Sequence, residues 1–208
     1  MADNTNIEIA EGFANEERIF KMIEEVAGGP GLGQKLKNIM IKHPPSGSPI
    51  DMNYLGADNE SLDLEIVDSL DNLEGRVRHE LMHVSDQLEE SFKYSEDLIP
   101  KEGTGDFRRY KYLWNVYIDG RLERSGRPAY DTREGREKEI DECYPELSDG
   151  LRKKVFDFLW KLGPLNFEQI TDMSRNLFSA TEGLKSLADS YGEKLRMFET
   201  IDDLKNYR

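Results

Sequence analysis

The sequence predicts an α+β fold that is predominantly helical, with a small β-sheet and a C-terminal helical layer. Three observations carry that expectation. Apolar residues recur at steps of three and four through most of the chain, two short segments alternate or run apolar as strands do, and from Leu147 onward the periodicity is helical. A length of 208 residues suits a domain over residues 1–145 with a helical extension over 146–208 packed on it as one structural unit.

The elements follow in order. Asn15 to Ala27 reads as an amphipathic helix with Ile19, Phe20, Ile23 and Val26 on its apolar side, stopped by the glycine cluster from Gly28 to Gly33. That cluster follows a helix and lacks a Gly-Lys-Ser/Thr ending, so it reads as a turn and not as a phosphate loop. Leu36 to Ile41 and Leu62 to Val67 read as strands with a loop from Ser46 to Glu60 between them, and His43, before Pro44, reads as a loop residue. The expected sheet edge runs beside a cleft.

Asp71 and Glu74 form a D-x-x-E capping box, and Leu73, Val77, Leu81, Val84 and Leu88 give the buried stripe of a helix from Asn72 to Phe92. A second helix spans Asp106 to Arg124 after the Pro100–Gly105 break. Ser125 to Tyr144 reads as a loop and a short exposed helix near Glu134 to Glu142. Leu151, Val155, Phe158, Leu159 and Leu162 then give a helix broken at Gly163-Pro164, and an Asn166-x-x-Gln169 cap opens another through Ile170, Met173, Leu177 and Phe178. Phe156, Phe158, Trp160 and Phe167 read as core.

Composition narrows the function. Forty-two acidic against twenty-eight basic residues give a net charge of -14, which argues against a nucleic-acid partner. Cys143, the single cysteine, excludes a disulfide framework and a cysteine-based zinc site, and reads as a small partly buried hydrophobe in a reducing cytosol. With no basic and apolar leader and no membrane-length apolar run, the chain is expected to be soluble and cytoplasmic, without a membrane partner.

The chemistry lies in His79-Glu80-Leu81-Met82-His83, which reads H-E-x-x-H. A spacing of four turns His79 and His83 to one helix face, where two imidazoles can converge on one Zn²⁺, and Glu80 can take a proton from a metal-activated water. The alternative is an ordinary amphipathic helix with two surface histidines. With three histidines in the chain, the third ligand must be a carboxylate. Asp86 shares the helix of the histidines and cannot easily complete a tetrahedron with them. The second helix offers Asn115, Asp119 and Glu123 on one face.

These residues resemble the HExxH zinc metallopeptidases, and more particularly the gluzincins, in which a second helix supplies a carboxylate ligand and, one turn later, an acid that hydrogen-bonds a ligand histidine. Asn115-Val116-Tyr117-Ile118-Asp119-Gly120-Arg121-Leu122-Glu123 also resembles the N-x-x-x-D-G-R-x-E helix of poorly characterised HExxH proteins, the likeness running from Arg76 to Arg124. The metzincin pattern is not matched, because Asp86 and Glu89 stand where that subclass has its glycine and third ligand. The resemblance implies a zincin-like fold, Asp119 as third ligand and Glu123 as its partner acid, with Glu123 as alternative ligand.

The expected function is zinc-dependent hydrolysis of a peptide or protein substrate, with Glu80 as general base and Tyr117, Arg121, Tyr130 and His43 as candidate oxyanion partners. The alternative is a non-catalytic zinc-binding regulatory or partner-binding module on a zincin scaffold. A di-iron bundle needs a second E-x-x-H, which is absent from the sequence.

Overall fold

A computed structural model describes residues 5–28, 32–45, 51–178 and 184–185. Part of the Gly28–Gly33 turn, the start of the Ser46–Glu60 loop and most of the chain beyond Phe178 lie outside the described residues. The chain forms two compact units, Met1–Glu90 with Leu122–Tyr130, and Ser91–Arg121 with Asp131–Arg208.

The first unit is built on a four-stranded sheet. Strands β1 (Asn6–Ile9), β2 (Asn38–Lys42), β3 (Met52–Leu55) and β4 (Ser61–Glu65) lie in the order β1-β2-β4-β3. β1, β2 and β4 run parallel, with Ile39 opposite both Ile7 and Leu62, and β3 closes one edge antiparallel to β4. The parallel β1–β2 pair requires a crossover, which helices α1 (Glu16–Ala27) and α2 (Leu32–Lys35) provide. Helix α3 (Leu73–Leu88) packs on α1 and on β3. Alternation puts Ile39, Ile41, Leu62 and Leu64 on the inner face of the sheet. There they join Ile19 and Ile23 of α1 and Val77, Leu81 and Val84 of α3 in one buried cluster.

Five details differ from the expectations. β1 was not expected, and β3 occupies part of the span expected to be loop. Phe20 lies outside the apolar stripe of α1 and is 38% exposed, because Ile19, Ile23 and Ala27 already fill the face toward the core. Helix α3 stops at Leu88, and Glu90–Phe92 forms a separate 3-10 turn. The capping box does not form. Asn72, with φ 46°, caps α3 without a side-chain bond to its first turn, and its amide donates instead to the carbonyls of Ala129 and Tyr130 at 2.8 and 2.7 Å. The Glu74 carboxylate accepts from Arg78 Nε one turn on.

The second unit is helical. It contains most of α4 (Gly105–Arg124), whose last turn from Leu122 belongs to the first unit, and α5 (Arg133–Cys143), α6 (Asp149–Trp160) and α7 (Phe167–Arg175). Helix α5 is not the exposed element expected, since Arg136, Ile140 and Cys143 are buried. The Asn166–Gln169 capping box forms as expected. Phe156, Trp160 and Phe167 are in the core and Phe158 is half-buried. Burial pushes the Cys143 thiol up to about 11, so it sits as an inert apolar group. The whole is a mixed α+β fold with a small sheet. Among the described residues no helix is long and apolar enough to cross a membrane.

Candidate functional site

Helix α3 is buried around most of its circumference, which an ordinary surface helix is not. His79, Glu80, His83 and Asp86 are 2, 7, 9 and 4% exposed. Val77, Leu81 and Val84 bury the apolar side in the sheet-facing core, so the polar arc is enclosed as well.

The four-residue spacing brings the two imidazoles together. Nε2 of His79 and Nε2 of His83 are 3.2 Å apart, with ring centroids 4.8 Å apart and planes at 75°. Two nitrogens each at 2.0–2.1 Å from a tetrahedral Zn²⁺ lie about 3.3 Å apart. The pair therefore fits two corners of such an ion. The same distance suits an N–H···N hydrogen bond, in which one ring donates and the other accepts. In either case the two nitrogens converge on a single cation or a single proton.

Glu80 is held from the sheet. Asn53 Nδ2, on edge strand β3, donates to Glu80 Oε2 at 2.7 Å, and Gln87 Nε2 of α3 reaches Asn53 Oδ1 at 3.4 Å. The strand is itself fixed to the helix just before its first residue. Arg76 grips Asp51 with Nε at 2.6 Å and Nη2 at 3.1 Å, and its Nη1 donates to the carbonyls of Ser69 and Asp71. Asp51 also accepts from the Val67 amide. This bidentate pair is nearly dry, and its geometry sets where Asn53 meets Glu80. Behind His79, the Tyr130 ring lies 5.1 Å away at 58°. Gly75 permits that approach, since a Cβ there would come within 2.1 Å of the Ala129 carbonyl oxygen.

The three α4 residues occupy three different settings. Asn115 is half-buried, Asp119 is fully buried and Glu123 is exposed. In the second unit, Arg136 Nε donates to Asp119 Oδ2 at 2.7 Å and Arg136 Nη1 donates to both Glu139 oxygens at 3.0 and 3.1 Å. Among the described residues no group of three or more His, Cys, Asp or Glu side chains is arranged to hold a metal ion. Of the oxyanion candidates, Tyr117 Oη accepts from the Leu165 amide at 3.1 Å and carries Arg121 over its ring. His43 is exposed and stacks on Phe13 at 3.8 Å.

Asn53, Asp51 and Arg136 were not anticipated. Asn53 and Asp51 sit in a polar stretch with no strand signal of its own, and Arg136 lies in a helix too charged to show which guanidinium is buried. A buried bidentate partner leaves no mark in periodicity. No protein-family model, no curated protein and no solved structure matches the chain.

Proposed function

We propose that the chain is a zinc-dependent metallopeptidase of the zincin type, with His79 and His83 as two metal ligands and Glu80 as general base. The carrying observation is the buried Nε2 pair 3.2 Å apart with a buried, hydrogen-bonded carboxylate next in sequence to the first histidine. Bound zinc supplies a Lewis acid that polarises the peptide carbonyl and acidifies water.

The chain's own residues do the rest. Glu80 accepts a proton from the attacking water as its oxygen bonds to the carbonyl carbon, then delivers that proton to the nitrogen as the C–N bond breaks. Asn53 fixes the rotation of the Glu80 carboxylate during both transfers. The sequence resemblance to the gluzincins makes Asp119 the third ligand, or alternatively Glu123. Arg136 on Asp119 Oδ2 suits that assignment, because ligating carboxylates are themselves hydrogen-bonded. Edge strand β3 offers an extended peptide a backbone ladder beside Glu80, and an acidic chain with one cysteine suits a reducing cytosol. The alternative is a non-catalytic zinc-binding regulatory or partner-binding module on a zincin scaffold.

Elemental analysis of purified protein should give about one zinc per chain, and His79→Ala and His83→Ala should each lose it. Glu80→Gln should keep the metal while peptide-library cleavage falls by about 100 to 10,000-fold. Wild-type metal in both histidine variants rejects the site. Undiminished cleavage by Glu80→Gln rejects the mechanism, and zinc binding without cleavage by the wild type favours the module.

A further inference from the structure

A second cleft of the first unit uses a different face of α3, one residue out of phase with the histidines. It encloses about 220 Å³. Its walls are apolar, from Val26, Leu32, Leu81, Met82 and Leu122, and its polar groups are Arg78, Arg127, Ser85 and Ser125.

The geometry of the polar side is built by the end of α4. Gly126, at φ +70°, donates its N–H to the Glu123 carbonyl, and Arg127 N donates to the Leu122 carbonyl, the paired bonds of a Schellman turn. That turn folds the chain back so that Ser125 and Arg127 line the cleft with Leu122. Arg78 is 8% exposed. It is fixed by two carboxylates, Nε to Glu74 at 2.7 Å and Nη2 to Glu25 at 2.8 Å.

Glu25 is the informative partner. Its Oε1 lies 2.8 Å from Arg78 and 4.0 Å from Arg127, and its side chain is 62% exposed. A carboxylate from the chain's own surface thus rests between two guanidinium groups on the rim of an apolar cleft. The carboxylate side of this pair is open to water while Arg78 is buried, so Glu25 can swing out into solvent and an incoming anion can take its place. A free ligand that also buries a hydrocarbon body gains what Glu25 cannot.

We propose that this cleft binds a small aliphatic carboxylic acid, whose carboxylate replaces Glu25 between Arg78 and Arg127 and whose chain lies along Val26 and Met82, over the buried Leu81 and Leu122. The site is independent of the zinc reading, since none of its groups is a proposed ligand or base. A titration of the full chain with hexanoate, hexanamide and acetate, followed through leucine and methionine methyl NMR signals, tests it.

Hexanoate should give saturating shifts of the Met82 and Leu122 methyls, with hexanamide and acetate each at least about tenfold weaker, a difference of 1.4 kcal/mol. Arg127→Gln, a change at an exposed residue, should weaken hexanoate about fivefold, and Glu25→Gln should strengthen it several-fold by removing the internal competitor. Equal affinity for hexanoate and hexanamide overturns the proposal, as does indifference to Arg127→Gln. Absence of saturating shifts at up to tens of millimolar hexanoate overturns it as well.

Discussion

Helices α3 and α4 each carry polar residues at four-residue intervals, yet the same spacing yields opposite outcomes. On α3, His79 and His83 are both buried and their nitrogens meet at 3.2 Å. On α4, Asn115, Asp119 and Glu123 pass from half-buried through fully buried to exposed. Periodicity places side chains on a common face, but what packs over that face decides their chemistry. The two carboxylates also meet different donors: Asp119 accepts from the Arg136 guanidinium, and Glu80 accepts from the Asn53 amide.

The largest test of that contrast is Arg136→Met. Removing one partner of a buried ion pair should cost about 3–5 kcal/mol in urea unfolding, and a paired Asp119→Leu should recover most of it. Failure of the double variant to recover would give Asp119 a role beyond the pair. On the α3 side, Gly75→Ala drives a Cβ into the Ala129 carbonyl and should cost about 1–3 kcal/mol. It should also move Tyr130 relative to His79, visible as a changed His79 ring-proton shift. Asn53→Leu should cost less than Arg136→Met, about 1.5–3 kcal/mol, because the hydrogen bond it removes ends on the buried Glu80 carboxylate. Equal losses for Arg136→Met and Asn53→Leu would erase the distinction between the two donors.

The elements legible in the sequence were those with long periods or explicit caps. Helix α1, helix α4 and the Asn166–Gln169 cap of α7 stood out, as did β2 and β4 with their paired apolar residues. β1 and β3 were hidden because each has four residues, too few for alternation to rise above chance, and β3 owes its position to pairing with β4 and to the Arg76–Asp51 bond. The same limit applies at the site. His79, Glu80 and His83 lie within five consecutive positions and were readable, while Asn53 lies 27 residues from Glu80 and is brought there only by the sheet. The failed Asp71–Glu74 box has a related cause: the tertiary bonds of Asn72 to residues 129 and 130 override a local cap.

Those bonds of Asn72 have a consequence for synthesis. The first unit is discontinuous, with Leu122–Tyr130 returning to it after the chain has left at Glu90. As the polypeptide emerges from the ribosome, α3 is complete when residue 88 appears, but the carbonyls that receive Asn72 come some forty residues later. The His79–His83 helix must therefore wait on the nascent chain with its first turn unlatched. Translation pauses between these two points should lengthen that exposure, and a fragment ending at Glu90 should expose the same helix start permanently.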